Sequence, residues 1–316
     1  MSRYSRRTLL KTAGVSLAAA TVPATATAEE SESEWQAVET PIDSTLHDIR
    51  DTATNPHAVA ESGILIERTA AGWETVLRGG PTGSGNDLYG AAVTDDGERL
   101  WIVGDSGVVG EYDVTTGNLV DRSAPMDVTN QFNSVAVTGP AGDADVYVVD
   151  DSGLVYYSFE NGEEGTWDDL TPGSGSGMPA VDFFGDRSGH IIDTNGTVFE
   201  TDDGTTWEAI GVEDADTTFG GLDSDGFEDV TVVGDGGAVL SYDGVEWRSQ
   251  RIGDTDLRDV ETDSGTGYTV GSGGTVFELT DGEWRRMETP IGENLLSVAT
   301  GDVDLVVGAS GAVLER

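Results

Sequence analysis

The stretch LRDVETDSGTGYTVGSGGTVFELTDGEW, residues 257–284, holds one complete copy of a unit that recurs along the chain. Two β-branched runs flank its small turn Ser272-Gly273-Gly274, and two such runs split by a short Gly-containing loop are typical of a β-hairpin. A further strand-like run precedes the hairpin at 257–260, and an Asp-Gly turn after it leads to Trp284. The unit is therefore predicted to contain four short antiparallel strands.

The same small turn recurs seven times, at intervals of 37 to 46 residues. The glycines that end its copies are Gly63, Gly107, Gly153, Gly196, Gly237, Gly274 and Gly311. Four short strands in each unit of about 40 residues are the signature of a β-propeller blade. The sequence thus predicts an all-β fold, a single seven-bladed β-propeller over residues 35–316.

The two ends of the predicted propeller complement each other. The seventh unit stops at Arg316, after its third strand, whereas residues 35–40 form an orphan strand at the other end. That orphan strand begins with Trp and ends with Glu-Thr before a Pro, as does the fourth strand of the sixth unit at 284–289. We expect residues 35–40 to complete the last blade and close the ring, which removes the exposed sheet edges at the join.

The repeat can be written L-x-D/S-V, V-V-G-x-G-G-x-V and D-G-x-x-W, and the segment from Glu200 to Trp207 fits S/T-x-D-x-G-x-T-W except at its first position. These motifs resemble BNR/Asp-box repeats of WD40-like and YVTN-like propellers, and in particular photosystem II assembly-factor-like propellers, over residues 35–316. The resemblance implies a protein-binding platform. It implies no catalytic role for the Asp boxes, which are turn devices.

Charge is distributed unevenly along the chain. The formal net charge is −43, and Lys11 is the sole lysine. Without Lys11 and the arginines at positions 3, 6 and 7, 12 basic residues face 59 acidic ones, a net charge of −47. This composition is similar to that of haloarchaeal proteins, and it disfavours nucleic acid and anionic membranes as partners. The absence of Cys excludes disulfides and thiol chemistry.

Residues 1–28 are predicted to be an export signal rather than part of the fold. A charged segment with Arg6 and Arg7 precedes a short apolar run, and Ala26-Thr27-Ala28 is an A-x-A cleavage site. The paired arginines resemble a twin-arginine (Tat) signal. We expect residues 29–34 to be a disordered acidic tail and the mature protein to be a soluble monomer, secreted or at the cell surface. Retention of the signal as a membrane anchor is the alternative.

One segment has the spacing of a calcium loop. Asp223, Asp225 and Asp229 lie in a D-x-D-G-x-x-D pattern, and Ca²⁺ is bound by oxygens at alternating positions of such loops. Ca²⁺ is therefore a possible cofactor. The alternative is a solvated hairpin turn between the first two strands of the fifth blade.

A second candidate site is one mouth of the central channel. The early position of the innermost strand holds His47, Tyr89, Asn133 and Arg258 in four blades, a mixture more specialised than a core position requires. Partial exposure at a strand start explains the mixture equally well. Long loops that join one blade to the next are expected around the same mouth, where loops on a rigid scaffold tend to carry function; they are 79–87, 124–131 and 171–178.

Two classes of function remain open from the sequence. The first is a non-enzymatic scaffold or assembly factor that binds an extracytoplasmic protein or glycan. The second is a sialidase-like or other glycan hydrolase, which would need an arginine cluster, an acid/base and a nucleophile. Because the arginines fall at different phases of the repeat and the three histidines lack a ligand or triad spacing, we favour the scaffold and expect the histidines to be structural.

The charge predicts that folding requires salt. A net charge of −47 opposes compaction by self-repulsion, and the Debye length falls to roughly 3 Å only near 1 M salt. Circular dichroism across a NaCl series is expected to show the β signal near 1 M and its loss at about 50 mM. A stable β signal at low salt without divalent ions would contradict this. If Ca²⁺ alone restores the fold, Asp225→Asn should weaken the rescue.

Overall fold

The computed structural model of the protein describes residues 34–212, 215 and 217–316. Arg6, Arg7, Ala26, Ala28 and the predicted tail up to residue 33 lie outside the described residues, so the signal stays a prediction. In the described part of the chain, no helix is long and apolar enough to cross a membrane. The chain forms seven four-stranded antiparallel sheets arranged as the blades of a ring, which confirms the predicted seven-bladed propeller.

The strands follow the ring in chain order, from the channel outward in each blade. Blades 1 to 3 contain β2 (Leu46–Arg50), β3 (His57–Ala60), β4 (Ile64–Thr69), β5 (Gly72–Leu77); β6 (Leu88–Val93), β7 (Arg99–Gly104), β8 (Val109–Asp113), β9 (Leu119–Asp121); and β10 (Phe132–Thr138), β11 (Asp145–Asp150), β12 (Val155–Ser158), β13 (Trp167–Leu170). Blades 4 and 5 contain β14 (Ala180–Gly185), β15 (Ser188–Ile192), β16 (Val198–Thr201), β17 (Glu208–Ala209); and β18 (Phe219–Gly226), β19 (Asp229–Gly234), β20 (Ala238–Tyr242), β21 (Trp247–Arg251). Blades 6 and 7 contain β22 (Leu257–Asp263), β23 (Thr266–Gly271), β24 (Thr275–Thr280), β25 (Glu283–Arg286); and β26 (Leu295–Ala299), β27 (Leu305–Gly308), β28 (Val313–Glu315), with β1 (Gln36–Ala37) as the outer strand.

Short 3₁₀ turns occupy the small Gly turns of five blades and one inter-blade loop. Their bounds are Glu61–Gly63, Asp105–Gly107, Asp235–Gly237, Ser272–Gly274 and Ala309–Gly311 for the turns, and Pro125–Asp127 for the loop. Glycine ends these turns for a steric reason. Gly107 has φ +73°, and a Cβ there would lie 2.3 Å from the carbonyl oxygen of Val128 in the next inter-blade loop. The residue that revealed the repeat is thus the one that lets each turn touch the following loop.

The N-terminal strand closes the ring as predicted. Gln36 and Ala37 pair with Glu315 and Leu314, although regular pairing covers only these two residues of the predicted 35–40. The segment after β1 also takes the place of an inter-blade loop, because Thr40 Oγ1 donates to the carbonyl of Gly311 at 2.8 Å. The equivalent threonine of blade 6 makes the same bond, from Thr289 Oγ1 to the carbonyl of Gly274 at 2.6 Å.

The apolar core lies between the blades. Every inner strand packs against the inner strand of the next blade, and β26 packs against β2 to complete the ring. One cluster joins Ile49 and Ile66 of blade 1 to Leu305 and Val313 of blade 7, all nearly inaccessible to solvent. The alternating apolar residues of each strand are therefore buried against two neighbours, which explains why no blade is expected to fold alone.

Polar side chains on the inner strands link successive blades around the channel. At six of the seven junctions a carboxylate or hydroxyl oxygen accepts a hydrogen bond from a backbone N–H of the following inner strand. The pairs are Asp48 with Ala91, Ser134 with Val181, Asp182 with Ser224, Asp223 with Thr262, Asp259 with Val298 and Ser297 with Ile49. At the junction of blades 2 and 3 the strands touch directly, since a Cβ on Gly90 would lie 3.0 Å from Cα of Ser134.

Closure of the ring can be tested by shortening the N-terminus. A chain that begins at residue 41 loses β1 and the buried Trp35, which packs at 5.3 Å against the ring of Tyr268 in blade 6. If the loss of Trp35 alone costs about 3 kcal/mol, the melting temperature in high salt should fall by roughly 6–12 °C. The control is a chain that begins at residue 34. Equal melting temperatures would contradict closure by residues 35–40.

Candidate functional site

The inner strands begin with a repeated irregularity at one end of the channel. In six blades the register shifts by one residue immediately after the strand's first residue. A β-bulge of this kind re-aims the extra side chain. The residues at the bulge are His47, Tyr89, Asn133, Gly220, Arg258 and Leu296.

These residues surround the mouth of a central cavity of about 750 Å³, which the inner strands of all seven blades line. The structure therefore brings together His47, Tyr89, Asn133 and Arg258, the four residues that the sequence singled out. Pro179 stands at the corresponding place in blade 4, where the bulge is displaced toward the other end of the strand. The sequence pattern located this position. Because the bulge turns its side chain toward the mouth, the position need not hold the apolar residue that a core position requires.

Each of the four side chains has a distinct environment. The rings of His47 and Tyr89 meet edge to face, with their centroids 5.0 Å apart. Asn133 Nδ2 donates to Asp151 Oδ1 at 2.6 Å and to the carbonyl of Met178 at 3.1 Å. Arg258 lies 3.4 Å from Asp256 and 3.8 Å from Asp235. The mouth thus has an aromatic side, at blades 1 and 2, and an ion-paired side at blade 6.

The long loops run from an outer strand to the next inner strand, at the same end of the strands as the bulges. The three loops predicted from the sequence follow β5, β9 and β13. Two further loops of similar length, at 210–218 and 287–294, were missed; the structure describes the first of them only in part. In the loop after β9, Ala124, Met126 and Asp127 all have φ between +55° and +64°, and Met126 is 48% exposed. Left-handed backbone at non-glycine residues carries a local cost, so this loop presents an apolar side chain on a strained turn.

Inside the channel, a cluster of charges that sequence reasoning missed joins blades 6, 7 and 1. Arg50 pairs with Asp48 at 2.7 Å, and Ser297 Oγ donates to Asp48 Oδ1 at 2.9 Å. Burial opposes the charge of Arg50, but Asp48, Asp259, Glu261 and Asp182 outweigh it and raise the pKa of Arg50. The D/S position of the L-x-D/S-V motif could have indicated this cluster, because its side chain reaches the inner strand of the neighbouring blade.

Burial in the channel wall raises the pKa of Asp259 to about 7; Arg50 opposes the shift, and the negative charge of Asp48 adds to it. This makes Asp259 a group that titrates near neutral pH, although its ordinary pKa is 3.8. Its Oδ2 also accepts the N–H of Val298 at 2.9 Å, so it is part of the inter-blade ring.

The predicted calcium residues lie on a hairpin. Asp223 and Asp225 belong to β18, Asp229 starts β19, and Gly226 pairs directly with Asp229. Asp223 is buried, with Oδ2 accepting the backbone N–H of Thr262 in blade 6 at 2.9 Å. Among the described residues, no group of three or more His, Cys, Asp or Glu side chains is placed to hold a metal ion. The segment forms the hairpin of the alternative interpretation, and calcium binding stays a prediction without geometric support.

The histidines away from the mouth are buried between strands. His190 Nδ1 lies 2.7 Å from Ser224 Oγ, and its Nε2 lies 3.4 Å from Glu200, so the ring bridges blades 4 and 5. Burial lowers the pKa of His190 to about 4. His190 and Ser224 are 0% and 3% exposed, an arrangement typical of an internal hydrogen bond rather than an accessible nucleophile.

The arginines that line the cavity do not form the carboxylate-binding cluster of a sialidase-like site. Arg50, Arg68 and Arg258 pair with three different carboxylates, those of Asp48, Glu315 and Asp256. Each is therefore engaged in its own ion pair.

No protein-family model matches the sequence, and the curated proteins include no match to it. Similar solved structures exist. YCF48 from Cyanidioschyzon merolae superposes with a TM-score of 0.70 and 18% identity, covering 90% of this chain and 98% of that one. YCF48 bound to D1 peptide superposes with a TM-score of 0.72 and 15% identity, covering 90% of this chain and 96% of that one. Selenomethionine-substituted virginiamycin B lyase from Staphylococcus aureus superposes with a TM-score of 0.75 and 11% identity, covering 89% of this chain and 98% of that one. A binding protein and an enzyme thus share this fold, so the likeness shows architecture alone.

The raised pKa of Asp259 makes stability depend on pH. A carboxyl whose pKa is higher in the folded state contributes stability that is full below its unfolded value of 3.8 and is lost as the pH rises through about 7. The wild-type melting temperature in high salt should therefore fall more steeply between about pH 5 and about pH 8 than that of Asp259→Asn, which keeps an acceptor for Val298. The control is Asp256→Asn, the same change at a carboxylate that is 43% exposed. Parallel curves for the wild type and Asp259→Asn would contradict the assignment.

Proposed function

We propose that this protein is a non-enzymatic scaffold that binds another protein outside the cell, and that the partner docks on the channel mouth and the long loops around it. The observation that carries the proposal is the shared bulge of six inner strands, which points unlike side chains into one mouth. A purely structural channel would need no such variety at a repeated position. Rigid strands beneath variable loops are the arrangement that favours recognition.

The exposed Met126 supports the same face. Only three large apolar side chains of the described residues are at least 45% exposed: Val120, Met126 and Val245. Met126 stands on the strained loop that leads into the inner strand of blade 3. Binding can offset the local cost of such a backbone conformation, whereas stability alone would select against it.

The solved relative YCF48 bound to D1 peptide supports peptide recognition as something this architecture can perform. The proposed location outside the cell rests on the Tat-like N-terminus and the acidic composition. We extend the proposal to a soluble monomer after signal cleavage, because closed propellers leave short, protected sheet edges.

Substitution of Met126 tests the docking face. Met126→Asp should weaken capture of the partner from secreted and membrane fractions at native salt by about fivefold or more, the effect of losing an interface contact worth about 1 kcal/mol. Aspartate tolerates left-handed backbone, so the fold should persist. The matched control is Val245→Asp, which alters a residue 87% exposed on the hairpin between β20 and β21.

Equal capture by the Met126 and Val245 variants would argue against this face. Turnover of model glycosides that is lost on replacing Arg258 would instead establish the hydrolase.

A further inference from the structure

We propose that the aromatic side of the mouth, at blades 1 and 2, holds a positively charged side chain of the partner, an arginine or lysine in an exposed peptide segment, against the ring of Tyr89. The inference rests on the proposed scaffold function and names the chemistry that its mouth recognises.

Tyr89 offers a ring at the cavity. The bulge turns its side chain to the mouth, and His47 packs against it edge to face. The electron-rich face of a tyrosine attracts ammonium and guanidinium groups, and the attraction grows when the cation is partly desolvated. A ring partly enclosed at the rim of a cavity meets that condition.

Three of the four carboxylates around Tyr89 come from one position of the repeat. The residue that opens the small Gly turn is acidic in blades 1, 2, 3 and 5, as Glu61, Asp105, Asp151 and Asp235, and it is Thr194, Ser272 and Ala309 in blades 4, 6 and 7. Asp87 joins the first three from the loop before β6, where its Oδ1 accepts the N–H of Ser62 at 2.7 Å. The carboxylates of blades 1 to 3 thus lie on the side of the mouth that carries the aromatic pair, whereas Asp235 lies beside Arg258 on the other side.

The same charges act on the two rings. Burial, and then the negative charges of Asp105, Asp87, Glu61 and Asp151, raise the pKa of Tyr89. Burial lowers the pKa of His47, with the nearby carboxylates opposing it, so this imidazole tends toward the neutral form. The imidazole of His47 therefore does not neutralise the carboxylates around Tyr89.

On the opposite side of the mouth, an arginine neutralises the carboxylates. There Arg258 lies between Asp235 and Asp256. On the Tyr89 side, none of the four carboxylates has an ion-pair partner among the described residues. A guanidinium or ammonium from a partner would supply there what Arg258 supplies across the channel. A compact metal ion fits less well, because no three carboxylates of the described chain converge on one point.

The test uses the mature protein at native salt and two synthetic peptides, acetyl-Gly-Ala-Arg-Ala-Gly-amide and the same peptide with citrulline, which keeps the shape of arginine without its charge. Line broadening of the peptide NMR signals measures binding. The arginine peptide should bind at least about fivefold more tightly than the citrulline peptide, as expected for a cation on an aromatic face.

Variants locate the contact. Tyr89→Leu should weaken the arginine peptide about fivefold or more, whereas Tyr89→Phe, which keeps the ring, should stay within about twofold. Tyr242→Leu is the matched control, since Tyr242 stacks on Trp247 in an outer part of blade 5. Asp105→Asn should weaken binding. Asp302→Asn should not, because Asp302 follows the end of β26 that lies away from the mouth.

Equal binding of the two peptides, or no effect of Tyr89→Leu, would overturn the inference. Loss of partner capture in Met126→Asp would still stand in that case, so failure of the cation site is distinguishable from failure of the scaffold function. If both fail, the mouth is not the docking face.

Discussion

The fold depends on polar links between neighbouring inner strands. Antiparallel sheets arranged around an axis share no backbone ladder, so their innermost strands present N–H groups to the channel that no strand of the same sheet satisfies. Here a side-chain oxygen from the preceding blade accepts one such N–H at six junctions, always in the same direction around the ring. Carboxylates make four of these six links, and hydrogen bonds to a carboxylate are stronger than those between neutral groups. A chain with so many acids thus uses some of them as internal connectors.

The bulge connects this scaffold to the candidate site. In blades 1, 3, 6 and 7 the extra residue and the connector are adjacent, as in His47-Asp48 and Arg258-Asp259. The same backbone irregularity that turns one side chain toward the next blade turns its predecessor into the mouth. The residue at the bulge can therefore vary without disturbing the connector residue that follows it.

The sequence predicted the architecture because its main signals are local. Gly107 marks a turn that only glycine fits, and Trp284 marks an outer strand after an Asp-Gly turn. Even ring closure was predictable, from the match of Trp35–Thr40 to a complete unit. The charge cluster at Arg50 was not, because its members come from three blades and meet only in the closed ring. For the same reason the roles of the remaining arginines were hidden: Arg68 and Arg316 bond to Glu315 and Glu278 of a preceding blade.

Joining the two ends of the chain in one blade has a consequence for the order of assembly. Strand β1 is among the first parts of the propeller that a ribosome would produce, and its partner β28 is the last. A nascent chain can stack blades as they emerge, but its first strand stays unpaired until β28 has been synthesised. Completion of the seventh sheet is therefore a late, long-range step, in which loop-closure entropy is overcome only after the other six blades have fixed the geometry. A product that ends before β28 would leave β1 unpaired, and one that lacks the whole seventh blade would also expose the apolar face of its first blade.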